Sequence, residues 1–269
     1  MNRLALARDI VRHHQLPDTL VDFEGLAYTD HGTEEVSGSL SPELLADSLH
    51  YAVWLSAEPA AEQTITLGSS KYRGLPHLPS GFEWPTGQYF AAQFNLTELH
   101  PFDIHDAFPA TGMLYIFYNG AGDLAVIHHD GPTEELTVTP YPDAATLPGA
   151  EYYLAEFRDH PELADLTPEA IFYLNEGDVY DYSDVYKAIP EGLREEIETA
   201  LDAPLTDGDG QRRIFGRPIF WQGEDDGAEE PQILLFSDEW GDASINIFST
   251  AEDARNRNYS RCWIEGSTT

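Results

Sequence analysis

The sequence predicts a β-rich α+β fold with largely antiparallel sheets, built from two similar halves behind a helical N-terminal extension. Three observations predict it. Short apolar or alternating runs, bounded by Gly, Pro and Asn, recur along most of the chain and are typical of strands. Apolar residues at helical spacing are concentrated in residues 1–60. Features of residues 61–140 return in the same order in residues 205–269.

Two helices are predicted in the N-terminal extension. The first covers residues 3–14, where apolar side chains recur near helical spacing. The second begins at Ser41, a good N-cap, with Pro42 in its first turn. Its apolar face continues to Val53, and Pro59 closes it.

The segment 70–99 is the part around which the rest of the chain is organised. Prolines fix φ and glycines permit turns, so the segment can hold one shape without regular hydrogen bonds. Its turn-forming residues are Gly74, Pro76, Pro79, Gly81 and Pro85, and its large aromatic residues are Tyr72, Phe82 and Trp84. Aromatic residues beside such turns usually pack the turns onto a core.

The remaining elements follow from periodicity and turn residues. The predicted strands are 62–67, 89–95, 113–118, 124–128, 135–139, 152–157, 232–237 and 241–248. Turn residues between 118 and 124 predict a hairpin there. The predicted helices are 167–174, an acidic amphipathic helix at 190–203, and a short helix that a capping box opens at Thr250.

Four motifs occur in fixed order between residues 70 and 118. They are Ser70-Lys71 with Gly74, Pro76, Leu78 and Pro79; Trp84-Pro85; Ala92-Gln93-Phe94-Asn95-Leu96; and Pro109 with Gly112, Leu114 and Phe117. In this order they resemble the YwqG-like family of bacterial proteins of unknown function (DUF1963). That family shows Ser-Lys-x-Gly-Gly-x-Pro-x-Leu-Pro, Trp-Pro, Ala-Gln-x-Asn-Leu and Pro-x-x-Gly-x-Leu-x-Phe-Phe. The resemblance implies a two-half domain over residues 61–269 and brings no established catalytic residues.

The C-terminal part resembles the second half of the same family. The matching residues are Gly216, Pro218, Gln222, Leu234, Leu235, Trp240-Gly241-Asp242, Asn246, Phe248, Arg257 and Ser260. The chain lacks the family's Gln-x-Asp-Ser segment before Trp-Gly-Asp, and Asn258 replaces an aspartate. If the missing segment carried an ancestral activity, this member has lost or altered it.

The charge is the most unusual property of the sequence. The chain of 269 residues has 48 acidic residues against 14 Lys and Arg, for a formal net charge of −34. Such an excess argues against nucleic acid and anionic membranes as partners. Solubility or adaptation to high salt, a basic partner, and attraction of cations remain as explanations. The sequence shows no signal peptide or membrane-spanning run, and we expect a cytoplasmic protein.

We expect no bound metal and no cofactor. The cluster of His100, Asp103, His105 and Asp106 follows no known ligand spacing, and a solvated acidic loop is its default interpretation. The pair His128-His129 ends a predicted strand, so the two rings point to opposite faces. Residues 207–218 fail the EF-hand template at its fifth and twelfth positions. Cys262, the single cysteine, excludes an internal disulfide.

A small-ligand site between the two halves is one functional hypothesis. Its residues are Trp84, Gln93, Asn95, Trp240 and Asp242. Uncharged polar residues on predicted central strands need partners, and a ligand is one possible partner. Asp242 can instead satisfy backbone donors of a facing turn. This site is the basis of the alternative function, a small-ligand-binding protein or a metal-dependent enzyme.

The favoured function is a non-enzymatic acidic protein that neutralises a basic macromolecule, as an immunity protein neutralises a toxin. The charge and the absence of a recognised catalytic motif support it. The expected partner-binding residues are Asp178, Asp181, Asp184, Glu195, Glu224, Asp225, Asp226, Glu229 and Glu230. We expect at least two of the three dense acidic segments, 178–184, 191–198 and 224–230, to lie on one face.

Overall fold

The α+β architecture predicted from the sequence is confirmed by a computed structural model, with mostly antiparallel sheets. The structure describes residues 2–14, 22–29, 32–39, 41–119, 122–172, 189–206, 212–218, 232–240 and 243–268. The α-helices in these ranges are α1 (Arg3–His13), α2 (Pro42–Ser48), α3 (Leu96–Leu99), α4 (Ala150–Asp159), α5 (Glu191–Leu201) and α6 (Ala251–Arg255). None of the helices in the described part of the chain is long and apolar enough to cross a membrane.

The strands form one large sheet and two small ones. They are β1 (Asp22–Thr29), β2 (Gly32–Ser39), β3 (Leu49–Pro59), β4 (Lys71–Tyr72), β5 (His77–Pro79), β6 (Tyr89–Asn95), β7 (Met113–Tyr118), β8 (Leu124–His129), β9 (Leu136–Val138), β10 (Glu162–Phe172), β11 (Leu205–Thr206), β12 (Arg213–Phe215), β13 (Gln232–Trp240), β14 (Ala243–Thr250) and β15 (Trp263–Thr268). The large sheet has the order β15-β14-β13-β12-β3-β10-β4-β6-β7-β8. β11 pairs with β10 in parallel, whereas β1 with β2 and β5 with β9 form separate antiparallel pairs.

The large sheet packs a hydrophobic core on each face. The main core contains residues of α1, α2, α4 and α5 together with the inner residues of most strands. A smaller core under β5 and β9 consists of Leu78, Phe90, Met113, Tyr115, Phe117 and Leu136. The sheet curls toward its main core. The evidence is that the turn before β15, at one edge of the sheet, contacts β8 at the opposite edge. The ring centroids of Tyr259 in that turn and His128 in β8 are 6.3 Å apart.

The second predicted helix is shorter than the sequence suggests. Its start is confirmed, since Ser41 accepts a hydrogen bond from the Leu44 N–H, but α2 ends at Ser48. Residues 49–59 instead form β3, which pairs with β10 on one side and β12 on the other. A strand buried on both faces carries a continuous apolar run, whose periodicity cannot be told from that of a buried helix. The domain division at residue 60 stays a prediction.

Three further element predictions are wrong. The predicted strand 62–67 is a 3₁₀ turn at Glu62–Thr64. The predicted strand 152–157 belongs to helix α4 because Tyr153 and Phe157, one turn apart, both pack on the Tyr89 ring. The predicted helix 167–174 lies largely in β10, whose pairing along the full length of β3 outweighs the local helix-start signal.

Other predicted elements are confirmed. Strands β6 and β7 have the expected bounds, and β7 with β8 forms the expected hairpin. In α5 the three apolar residues at four-residue spacing are buried, namely Leu193, Ile197 and Leu201. Thr250 caps α6 by accepting a hydrogen bond from the Asp253 N–H.

The two turns predicted to correspond share an unusual backbone. Arg73 and Gly74 follow β4 with φ of 53° and 68°, and Phe215 and Gly216 end and follow β12 with φ of 63° and 72°. Consecutive residues in the left-handed region are rare unless the second is glycine. This similarity supports an internal duplication, which itself stays a prediction.

Candidate functional site

A buried polar cluster lies where the 70–99 segment folds against the turn at Glu62. Lys71 of β4 is completely buried, and its Nζ donates to Glu62 Oε1 at 2.5 Å and to the Leu75 carbonyl at 3.0 Å. Glu62 Oε2 accepts from the Leu75 N–H at 2.9 Å. Burial lowers the pKa of Lys71, although Glu62 opposes that shift. Burial disfavours the charge of Glu62, but the nearby His77 ring, together with the hydrogen bonds from Lys71 and the Leu75 N–H, outweighs burial and lowers the pKa of Glu62.

His77 closes this cluster from the opposite side. Its Nδ1 accepts from the Gly68 N–H at 3.0 Å, so the neutral ring carries its hydrogen on Nε2. Nε2 lies 3.6 Å from Glu62 Oε1, which is too long for a hydrogen bond. The Nε2 atom is buried and makes no hydrogen bond within the described residues. Because His77 makes no hydrogen bond to Glu62, the charged partner of the Glu62 carboxylate is the Lys71 ammonium.

Gln93 and Asn95, two of the predicted ligand residues, hold the same segment in place. Gln93 is completely buried; its Oε1 accepts from the His77 N–H at 2.8 Å, and its Nε2 donates to the Ser69 carbonyl at 2.8 Å. The Asn95 side chain donates to the Gly68 carbonyl and accepts from the Thr97 N–H, both at 3.0 Å. The amides are thus engaged with the backbone, and a ligand role for them stays a prediction.

Trp84 lies apart from this cluster, over the smaller core. Its ring contacts Phe117 and Tyr141 at centroid distances of 5.2 and 4.8 Å, and its Nε1 donates to the Gln88 carbonyl at 2.9 Å. Asp242 and the side chain of Trp240 lie outside the described residues. The predicted pocket between the halves therefore stays a prediction.

A partly buried ionic triad lies on the main-core side of the sheet. The Arg212 guanidinium donates to Asp238 at 2.6 Å and to Glu162 at 2.7 Å, and its carbon lies 5.0 Å from the centroid of the Tyr72 ring. Burial disfavours the Arg212 charge, but the two carboxylates outweigh burial and raise its pKa. Burial raises the pKa of Asp238 against the pull of Arg212. Tyr72 Oη is buried there without a hydrogen-bond partner among the described residues.

An acidic groove lies at the C-terminal end of α5. It has a volume of about 620 Å³ and is lined by Glu195, Glu198, Thr199, Asp202, Ala203 and Pro204. Glu198 is held in place because its Oε1 accepts from the Leu205 N–H at 3.0 Å. Asp202 ends the helix with a left-handed backbone, φ 55°. Of the predicted partner-binding residues, Glu195 lies in this groove; the others lie outside the described residues.

The predicted metal-ligand candidates do not converge in the described part of the chain. No group of three or more His, Cys, Asp or Glu is arranged there to hold a metal ion. Asp103 instead accepts from the N–H groups of His105 and Phe108, at 3.1 and 2.7 Å, and so shapes its own loop. Cys262 is half-buried, and burial raises the pKa of its thiol to about 11.

The profile of a protein family described as a domain of unknown function, DUF1963, matches residues 70–266. The chain belongs to the DUF1963 family. No curated protein matches the chain. In this DUF1963 protein five of the motif residues named from the sequence belong to the network at the base of the 70–99 segment or contact it, namely Ser70, Lys71, Gly74, Gln93 and Asn95.

Sequence reasoning missed the two ionic clusters of this DUF1963 protein. Glu62 and Lys71 are separated by turns, and the contact depends on Gly74, where a Cβ would lie 2.3 Å from Glu62 Oε2. Glu162, Arg212 and Asp238 come from three distant parts of the chain. The available signal for the second cluster was weak, because Asp238 lies beside a second charged residue, Glu239, after the apolar run of β13.

Proposed function

We propose that this DUF1963 protein binds a basic macromolecule, most simply a basic protein, through its acidic surface and without catalysis. An immunity protein that neutralises a toxin is the model for such a role. The observation that carries the proposal is the acidic groove at the end of α5, which contains Glu195. The net charge of −34 would attract a basic partner over a distance and raise its association rate. A cytoplasmic location stays a prediction.

The position of the groove supports binding over general solubility. The C-terminal end of a helix carries a partial negative charge, so basic residues there are favourable and acidic ones are unfavourable by about 0.3–1 kcal/mol each. The last turn of α5 contains no basic residue, while Glu198 and Asp202 lie at that end. Proteins break such local rules mainly at functional sites. Acidic residues at this helix end lower the stability of the fold, and binding of a basic partner would explain why they are present.

The test compares partner association for the wild type and a groove variant. Proteins retained by the immobilised chain from its native lysate at low salt are identified, and the most enriched basic protein is purified. Association rates are then measured between 20 and 500 mM salt, values chosen to bracket the range over which screening becomes strong. The groove variant combines Glu195→Gln with Asp202→Asn, since asparagine tolerates a left-handed backbone. A matched control combines Glu134→Gln with Glu135→Gln on an exposed turn.

We expect the wild-type on-rate to fall at least tenfold as salt rises. We expect the groove variant to associate several-fold more slowly at low salt, and the control variant to associate like the wild type. An on-rate that ignores both salt and the groove substitutions would refute the proposal and leave the acidity as a solubility trait.

A further inference from the structure

A second groove lies beside β10, away from the residues that line the acidic groove of α5. It has a volume of about 340 Å³ and is lined by Ser69, Ser70, Glu98, Phe102 and the β10 residues Leu163, Ala164, Asp165 and Leu166. Its walls are therefore equally polar and apolar, and they carry two carboxylates. Leu163 is 43% exposed, although it belongs to a strand of the large sheet.

The Glu98 carboxylate in this groove is oriented by the family motif. Ser70 Oγ donates to Glu98 Oε2 at 2.6 Å, and the Ser70 N–H adds a longer bond at 3.3 Å. The same Oγ accepts from the Asn95 N–H at 2.9 Å, so the hydroxyl can donate only toward Glu98. Glu98 Oε1 receives none of the described hydrogen bonds. The motif thus presents one carboxylate oxygen in a fixed position, and Ser70 itself is buried.

We propose that this groove binds an arginine side chain of the basic partner. The inference rests on the proposed function, because the partner is the source of the arginine. Arginine combines an apolar stem, suited to the exposed Leu163, with a planar cation that stacks on aromatic rings such as Phe102. Its five donors suit the two carboxylates, Glu98 and Asp165, better than the single ammonium of lysine. Both the charge and the apolar surface of the groove therefore favour an arginine side chain.

The test uses the full chain and a small probe instead of the partner. N-acetyl-L-arginine methylamide is titrated into ¹⁵N-labelled protein, and backbone amide shifts are followed at Ser69, Ser70, Ala164 and Asp165. The probes N-acetyl-L-citrulline methylamide, which has nearly the same shape without charge, and N-acetyl-L-lysine methylamide are titrated in parallel. We expect saturable shifts at these amides with arginine, and binding at least tenfold weaker with citrulline and several-fold weaker with lysine.

Glu98→Gln keeps an acceptor for Ser70 and removes the charge, and we expect it to weaken arginine binding about tenfold. Leu163→Ala tests the apolar wall at an exposed position, with an expected loss of a few-fold. Glu134→Gln, an equal charge change on an exposed turn, should bind like the wild type. Equal binding of citrulline or lysine, or arginine shifts that Glu98→Gln leaves unchanged, would overturn the assignment.

This test separates the inference from the proposed function. Arginine binding in the groove combined with an on-rate indifferent to the α5 carboxylates would support the groove and refute the α5 proposal. Loss of the partner's on-rate in the α5 variant without arginine binding here would do the opposite.

Discussion

Phe236 of β13 stacks on Tyr72 of β4 with ring centroids 5.9 Å apart, although β12, β3 and β10 lie between those strands in the sheet. Neighbouring strands are about 4.8 Å apart, so a flat sheet would separate β13 and β4 by about 19 Å. The sheet must therefore curl strongly, and Phe94 of β6 closes the same aromatic group at 5.7 Å from Phe236. The Tyr72 hydroxyl is buried inside this curl.

Removal of that hydroxyl should stabilise the protein. Tyr72 Oη has no hydrogen-bond partner in the described structure, and an unpaired buried hydroxyl costs about 1–3 kcal/mol. We expect Tyr72→Phe to raise the free energy of unfolding by about 1 kcal/mol. Tyr115→Phe is the control, because Tyr115 Oη donates to the His77 carbonyl at 2.7 Å and its loss should cost about 1 kcal/mol. Urea denaturation measures both; equal effects of the two substitutions would contradict the prediction.

Arg73 has a backbone that suits glycine, and the family motif has glycine at its position. A left-handed backbone costs a residue other than glycine about 1–2 kcal/mol. Arg73 also pairs with Glu156 at 2.5 Å, so both Arg73→Gly and Arg73→Ala lose that ion pair. We expect the glycine variant to be more stable than the alanine variant by about 1 kcal/mol in chemical denaturation. Equal stability would show that the turn relaxes to another backbone.

Alanine substitutions at Gly74 and Gly81 distinguish the cost of backbone strain from the cost of a steric clash. Both have a left-handed backbone, but a Cβ at Gly74 would meet Glu62 Oε2 at 2.3 Å and Pro161 Cβ at 2.5 Å, whereas a Cβ at Gly81 meets nothing within 4 Å. We expect Gly81→Ala to cost about 1–2 kcal/mol. Gly74→Ala should cost about 1–3 kcal/mol more, because it also pushes apart the Glu62 cluster. Thermal and urea unfolding of both variants would check the order, and a reversed order would contradict it.

His50 of β3 should make the protein less stable in acid. Burial, helped by the guanidinium groups of Arg8, Arg217 and Arg213, lowers the pKa of His50 to about 4 from 6.5. The unfolded chain therefore binds more protons than the folded one between these values. The stabilisation is complete above pH 6.5 and is lost as pH falls toward 4, by about 3 kcal/mol in total.

The measurement is the free energy of unfolding at several pH values for the wild type and His50→Gln. Since glutamine does not titrate, we expect the variant to lose about 3 kcal/mol less than the wild type between pH 6.5 and 4. A His50→Gln profile parallel to that of the wild type would refute the assignment.

The strands nearest the family motifs were predictable because their pattern is local. The run from Met113 to Tyr118 is apolar throughout, and the short turn after it favours pairing with the next strand in the sequence, β8. Helix α5 was predictable for the same reason, since a four-residue apolar spacing defines one buried face. In these cases the sequence neighbours and the spatial neighbours are the same.

The errors arise where distant contacts decide the structure. Pro168 reads as the start of a helix but lies in β10 opposite Val53. A proline is tolerated there because, among the described strands, β4 and β11 cover the other side of β10 only at residues 162–163 and 170–171. The missing N–H therefore interrupts no ladder on that side. No local signal announces such a gap.

The candidate site was predictable only in part. The residues Gln93 and Asn95 were singled out from the sequence as polar positions on a central strand. Their partners are backbone groups of the turn before β4, together with the N–H groups of His77 and Thr97. The carboxylate that the motif orients, Glu98, carries no sequence signal of its own. Its importance depends on Ser70, 28 positions earlier in the chain.

The placement of β3 has a practical consequence for work on related proteins. The family profile begins at residue 70, yet β3 (Leu49–Pro59) joins β12 to β10 in the middle of the sheet. A fragment trimmed to the profile would lack that strand and expose two unpaired edges, which are templates for aggregation. Fragments of such proteins should therefore be expressed from a start before α2, and the insolubility of a fragment trimmed to the profile would result from the loss of β3.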